Sequence, residues 1–350
     1  MEPLLIAGMY KSGTSWLLTC LSAHHQCLGF NEIDLIKSVG AYRRSFLFKK
    51  TFRLHDPATR IQTFFGKSSW CHLPISFYQD LIDRSEKPDQ TLLDLPPRMV
   101  IDRITQHFVP LGHRPRHDEN YAIPRNFLFF KQERLEQLYR AILHTKDLDA
   151  FLNTVFQLVE EEMAERDLTT LRYYCFKGAD QISVIHALND ESRPLKKLII
   201  VRDGRDAAIS AVKFSNLMIQ RKAAWKESST TLSYFAYLKS WRHRAAMVRK
   251  RMDDESYYVL RYEDLNLGFQ QTFAKLLNWL GMEANPEVID KIHSQTSFEA
   301  VTGRKRGQEK AGVIRKGAVR EWAEVLSEKE KKKAWWIAGK QLQALGYPER

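Results

Sequence analysis

Leu4-Leu5-Ile6-Ala7-Gly8-Met9-Tyr10-Lys11-Ser12-Gly13-Thr14-Ser15-Trp16 decides how the rest of the chain is read. The apolar run at its start reads as a buried strand. Gly8 and Gly13 permit a tight turn after it. From Trp16 to His24 the apolar spacing is helical. A strand, a small-residue turn and a helix N-terminus together make an anion site, because free backbone N–H groups and the helix dipole point out of the turn. Lys11 adds a full positive charge there, and Ser12, Thr14 and Ser15 add hydroxyl donors. The nucleotide-triphosphate loop places its lysine directly after the last glycine. Here Thr14 holds that place and Lys11 lies inside the loop, which argues against an ordinary ATP or GTP site and for another phosphate.

Working outward, strands and helices alternate. Cys27 to Glu32 is a short extended piece ending on a carboxylate. Tyr173 to Phe176 reads as a strand leading to Lys177-Gly178-Ala179-Asp180. Leu195 to Val201 reads as a buried strand running into Arg202-Asp203-Gly204-Arg205-Asp206 and a helix from Ala207. Tyr257 to Tyr262 is another strand, followed by Glu263-Asp264. The fold class expected is α/β: a central parallel sheet flanked by helices. Ligands in such sheets bind beyond the carboxyl ends of the strands, where Lys11, Lys177 and Arg202 all fall.

From Ile33 to about Asp167 the pattern is mostly helical, and Phe127 to His144 and Leu148 to Glu165 carry apolar residues at helical spacing, with a break at Lys146-Asp147. The aromatics Phe64, Phe65, Trp70, Phe77, Tyr78, Phe127, Phe129 and Phe130 read either as core or as the lining of a pocket for a second substrate. Toward the C-terminus, Thr231 to Arg251 and Phe269 to Leu280 read as helices, with Gly281 as a cap. The glycine-rich, basic segment from Gly303 to Gly317 reads as a mobile loop. A last helix covers about Ser327 to Leu345.

The chain has 350 residues and a formal charge of +12. That balance suits an anionic ligand, nucleic acid or an acidic surface without choosing among them. The four cysteines, Cys20, Cys27, Cys71 and Cys175, form no Cys-x-x-Cys pair and read as small reduced core residues, which fits the cytoplasm. No run is long enough to span a bilayer, and no His/Cys/Asp cluster stands at metal-ligand spacing.

Five separated segments together resemble the sulfotransferases that use 3′-phosphoadenosine 5′-phosphosulfate. Lys11-Ser12-Gly13-Thr14-Ser15-Trp16 is similar to that family's 5′-phosphosulfate loop. Arg202, with Ser210 eight residues on, resembles its 3′-phosphate segment. Tyr262-Glu263-Asp264 resembles a segment whose tyrosine lies at the nucleotide. Thr296-Ser297-Phe298 stands where the family sets a Thr and a Phe against the adenine. Arg315-Lys316-Gly317, with Trp322 beyond, resembles the late loop that closes on the 3′-phosphate, and Leu345-Gly346-Tyr347 resembles the family's usual ending.

The resemblance implies a P-loop NTPase-like sheet, a single domain over 1–350 and a largely helical acceptor-side insertion at about 41–171. It implies a donor, 3′-phosphoadenosine 5′-phosphosulfate, a product, 3′,5′-ADP, and no metal. Lys11 and Lys177 are then expected at the reacting groups. The cytosolic branch has Lys-x-His-Leu-Pro, whose His is the base; Lys177-Gly178-Ala179 keeps the lysine and lacks that His. Another branch uses a Glu soon after the first helix. Ala23-His24 resembles that branch's helix end, which makes Glu32 the candidate base, with Asp180, His186 and His55 in reserve. The expected acceptor is a small molecule, lipid or carbohydrate rather than nucleic acid. The competing readings are a P-loop kinase or other NTPase, and a non-enzymatic binder of anionic ligands.

Overall fold

The structure is a computed structural model. It describes residues 1–31, 148–165, 170–177, 195–220, 232–310 and 314–349, with the single positions 134, 137, 168, 182 and 193. Glu32, His55, Asp180, His186, Cys71 and the aromatic stretch of the middle region lie outside the described residues, as does most of the expected insertion.

Five strands form one sheet: β1 (Glu2–Gly8), β2 (Cys27–Asn31), β3 (Tyr173–Lys177), β4 (Lys196–Val201) and β5 (Tyr257–Arg261), in the order β2-β3-β1-β4-β5. The pairs β2–β3 and β4–β5 are parallel, with Cys27 opposite Tyr173 and Lys197 opposite Tyr257 at their starts. Leu4 to Gly8 are buried without alternation, as are Tyr173 to Lys177. Continuous burial is what a strand inside a parallel sheet requires, since helices cover both faces. The expected α/β class holds.

The chain divides into two compact units, the first holding Met1–Leu4, His25–Gly178 and Ala187–Leu195, the second Leu5–His24, Ala179–His186 and Lys196–Arg350. In the first, α2 (Leu148–Glu165) has the bounds its spacing predicts. It buries Val155, Phe156, Val159 and Met163. Phe156 stacks on Phe176, which stacks in turn on Phe30. The polar side of α2 is bound by charge: Arg134 pairs with Glu161, Glu162 and Glu165. Glu160 accepts from the Tyr174 hydroxyl at 2.7 Å and pairs with Arg193.

The second unit carries α1 (Thr14–Ser22), α3 (Gly204–Gln220), α4 (Tyr234–Arg249), α5 (Tyr262–Leu267), α6 (Phe269–Leu280), α7 (Pro286–Thr296), α8 (Phe298–Thr302), α9 (Glu321–Val325) and α10 (Glu328–Ala344). Their caps are legible in sequence. Gly281 ends α6 in the left-handed region at φ 64°. Ser327 and Glu330 close a reciprocal capping box at the start of α10. The expected long helix from Thr231 is shorter, Tyr234–Arg249. Cys20, Cys27 and Cys175 are buried and unbridged, as small core residues should be.

Candidate anion-binding site

The second unit brings the end of β1 beside the ends of β4 and β5, and each strand end carries one expected segment. After β1 the chain turns through Met9 to Gly13, with the Ser12 N–H donating to the Met9 carbonyl at 2.9 Å. Lys11 stands at φ 69° and Gly13 at φ 99°. Two left-handed residues so close together turn the chain abruptly into α1, whose first N–H groups lack upstream carbonyl partners. Gly8 must be bare as well: a Cβ there would lie 2.4 Å from Ser12 Oγ and 2.8 Å from the Ile200 carbonyl. Ser12 is fully buried, yet its hydroxyl has no hydrogen-bond partner among the described residues. A buried hydroxyl, unsatisfied among the described residues and set beside a helix N-terminus, fits an anion as the missing partner.

Arg202 follows β4 directly. Its guanidinium donates through Nη1 to the Lys11 carbonyl at 3.4 Å and through Nη2 to the Ala318 carbonyl at 2.9 Å. It lies 4.6 Å over the Tyr262 ring. Its buried Nε is unsatisfied among the described residues. Tyr262 follows β5 and meets Gly13 so closely that a Cβ on the glycine would stand 2.7 Å from the ring. Trp16 packs edge-on against Tyr262 at 5.7 Å and donates through Nε1 to the Thr296 carbonyl at 2.8 Å. Thr296 is buried; its hydroxyl donates to the Ile292 carbonyl at 2.7 Å and accepts from Cys20 at 3.4 Å. Phe298 sits under Gly317, where a Cβ would approach its ring to 2.6 Å. Ser210 is buried on α3. The loop, Arg202, Tyr262 and Thr296 are thus joined through direct contacts, and Phe298 and Gly317 form a second pair beside Thr296 and Ala318, which touch the first group.

Other expected residues are placed differently. The Lys11 ammonium lies over the Phe214 ring at 4.2 Å. Arg315 pairs with Glu309 at 2.8 Å and with buried Glu321, and Lys213 pairs with the same two carboxylates. Lys316 is 3.8 Å from Glu324. Lys177 is buried at the carboxyl end of β3, in the first unit. Among its described residues, the segment expected to be a mobile loop carries several internal hydrogen bonds. The Arg304 guanidinium donates to the carbonyls of Gln308, Ile314 and Arg315, and the Gly307 N–H donates to Lys316. Spacing cannot reveal this, because a single arginine satisfies three carbonyls with no periodicity at all.

Sequence reasoning also missed the frame behind Arg202. Asp203 grips Arg205 through three side-chain bonds, and Arg205 reaches on to the Pro348 and Glu349 carbonyls. Glu263 accepts from the Asp203 N–H and from the Tyr347 hydroxyl, both at 3.0 Å. Burial raises the Glu263 carboxyl above its usual range. Asp206 accepts from the N–H groups of Arg320 at 2.7 Å and Trp322 at 2.8 Å. Gly204 lets Trp241 close on the backbone, donating to the Arg202 carbonyl at 3.1 Å. Within Arg202-Asp203-Gly204-Arg205-Asp206, Arg202 bonds to the loop, and the bonds made by its neighbours hold it there.

Residues 185–346 match the family model described as the sulfotransferase domain. Sulfotransferase 6B1 of Mus musculus is 30% identical over 148 residues, 38% of this chain and 46% of that protein. Sulfotransferase 2A1 of Homo sapiens is 24% identical over 151 residues, 37% of this chain and 50% of that protein. The chain spans about half the length of the curated relatives it matches. Among solved structures, mouse sulfotransferase SULT7A1 complexed with PAP aligns over 98% of this chain and 84% of that one, at 13% identity and a TM-score of 0.47.

Proposed function

We propose that this chain, whose residues 185–346 match the sulfotransferase domain model, is a sulfotransferase that transfers a sulfuryl group from 3′-phosphoadenosine 5′-phosphosulfate to a hydroxyl or amine of an acceptor. The observation that carries this reading is the 3.4 Å contact of Arg202 with the Lys11 carbonyl, because it joins the two expected phosphate segments. The unsatisfied Ser12 Oγ and Arg202 Nε and the bare Gly13 fit an anionic group in the same place.

In this reading the turn from Lys11 to Trp16 takes the 5′ end of the donor through backbone N–H groups and hydroxyls. Arg202 and Ser210 take the 3′-phosphate, together with Arg315, Lys316 and Gly317. Tyr262, Thr296 and Phe298 enclose the nucleoside. Bound there, the donor supplies an activated sulfonate. The residues contribute mainly position and fixed positive charge, by analogy with phosphoryl transfer. Lys11 and Lys177 offset negative charge at the reacting end. Glu32, next after β2, takes the acceptor's proton. The scheme asks for no metal. The acceptor is a small molecule, lipid or carbohydrate, and the buried thiols suit a reducing cytoplasm.

The test is thermal stabilisation by 3′,5′-ADP, measured against ATP with Mg²⁺. Stabilisation by 3′,5′-ADP is expected; a response to ATP with Mg²⁺ alone would move the chain to the kinases. Arg202→Ala should weaken 3′,5′-ADP about tenfold or more, the scale of a lost charged hydrogen bond. With labelled donor and an acceptor library read by mass gain, Glu32→Gln should cut turnover by about 10²–10⁴ and leave 3′,5′-ADP affinity intact. Unchanged turnover removes Glu32 from the mechanism.

A further inference from the structure

Asn266 lies on α5, one turn beyond Tyr262, and is buried. Its Nδ2 donates to the Tyr262 hydroxyl at 3.1 Å and to the Gly317 carbonyl at 3.3 Å. Its Oδ1 accepts from Arg306 Nη1 at 2.9 Å, and Arg306 also donates to the Asn266 backbone carbonyl. The amide can be oriented only one way. A guanidinium has no acceptor and a carbonyl has no donor, so oxygen must face Arg306 and nitrogen must face Gly317. The nitrogen therefore donates to Tyr262, whose hydroxyl is fixed as the acceptor in that bond. The phenolic hydrogen is left to point elsewhere. Tyr262 meanwhile touches Gly13 and carries Arg202 over its ring.

We propose that Asn266 is a positioning residue of the anion site: it sets the Tyr262 hydroxyl as a hydrogen-bond donor toward the bound nucleotide and ties Gly317 to it. This rests on the reading of Tyr262 as a nucleotide contact. Neither the Tyr-Glu-Asp segment nor the late loop identifies Asn266, because two of its three partners, Arg306 and Gly317, lie 40 and 51 residues away in sequence. A donor aimed at phosphate or ribose oxygen strengthens binding. The same hydroxyl turned the other way would present lone pairs to an anion and weaken it.

The experiment is a double-mutant cycle on 3′,5′-ADP affinity, read by calorimetry on the folded full chain, with Asn266→Ala, Tyr262→Phe and the pair. Asn266→Ala should weaken 3′,5′-ADP about tenfold, the scale of one oriented hydrogen bond to a charged group. In the Tyr262→Phe background the same change should cost at most about threefold, since no hydroxyl remains to be turned. A residue that only props the fold would cost the same in both backgrounds. Wild-type affinity in Asn266→Ala, or full additivity of the two losses, overturns the proposal. If Asn266→Ala does not fold, Asn266→Ser enters the cycle with the same expected non-additivity. Binding of 3′,5′-ADP by the wild type separates the two ideas: no binding there refutes the nucleotide reading itself, and with it this inference.

Discussion

Gly13 is the residue at which backbone angle, packing and ligand site coincide. At φ 99° an alanine is strained wherever it is placed, and here its methyl would also stand 2.7 Å from the Tyr262 ring. The ring cannot withdraw freely, because Trp16 packs against one side and Arg202 against another. Gly13→Ala should therefore lower unfolding free energy by about 1–3 kcal/mol, the cost of a residue held in a disfavoured region. It should also abolish stabilisation by 3′,5′-ADP, because the turn and Tyr262 move together. Urea denaturation with and without the nucleotide reads both effects. A variant destabilised to this degree that still binds 3′,5′-ADP at wild-type strength would separate the turn from the ligand. Lys11 gives the comparison: it is left-handed without being glycine, at φ 69°. The glycines on this turn were readable from the sequence, since glycine takes such angles without a Cβ penalty. The ring filling the space above Gly13 was not, because it arrives from a segment about 250 residues later.

The element that controls the late loop is α3, through one carboxylate in its first turn. Asp206 accepts the N–H groups of Arg320 and Trp322, so it fixes the chain where the segment ending at Ala318 turns into α9. Burial pushes its carboxyl up to about 6; Asp203 pushes the same way, while Arg202 and the two N–H groups pull down. The sign follows from proton uptake. A carboxyl with a folded value above its unfolded one binds a proton on folding, so its contribution to stability is present in full at low pH and lost as pH rises through about 6. Asp206→Asn removes this titration while keeping one acceptor. The melting temperature of the wild type, measured relative to Asp206→Asn, should rise as pH falls from about 7 to about 4. A difference independent of pH across that window would show that Asp206 does not titrate there. Elements of this kind were easily legible in their type and extent, because apolar period and caps are local: α2 and α6 have the bounds that their spacing predicts. The partner that Asp206 holds was hidden, for the bond spans more than a hundred residues and leaves no spacing to detect.

Across the whole chain, a net charge of +12 overstates what the late loop offers an anion. Asp203 occupies Arg205, and Glu309 and Glu321 occupy both Arg315 and Lys213. That last cluster sums to zero, two cations against two carboxylates. Composition therefore pointed to an anionic partner without saying which cations meet it. The ordered motifs pointed to the site, and the geometry divides its cations into those turned to the loop and those held by carboxylates. The two carboxylates differ in setting. Glu321 is buried, whereas Glu309 is about half exposed and lies in the segment between Arg304 and Arg315. Arg315 holds the Glu309 carboxyl below its usual range, and Lys213 acts in the same direction against burial. Glu309 is thus charged at neutral pH and competes with any incoming phosphate for Arg315. Glu309→Gln removes one competitor while Glu321 still binds both cations, so the loop keeps its anchor. The expected result is a gain of about twofold to fivefold in 3′,5′-ADP affinity at low salt, the scale of one partly exposed charge pair. Near 1 M salt, where the Debye length falls to about 3 Å, the gain should shrink toward nothing. Titration calorimetry at two salt concentrations measures this. If Glu309→Gln weakens the nucleotide at both, Glu309 holds Arg315 in its binding pose rather than competing for it, and Arg315 reaches the phosphate only with that carboxylate in place.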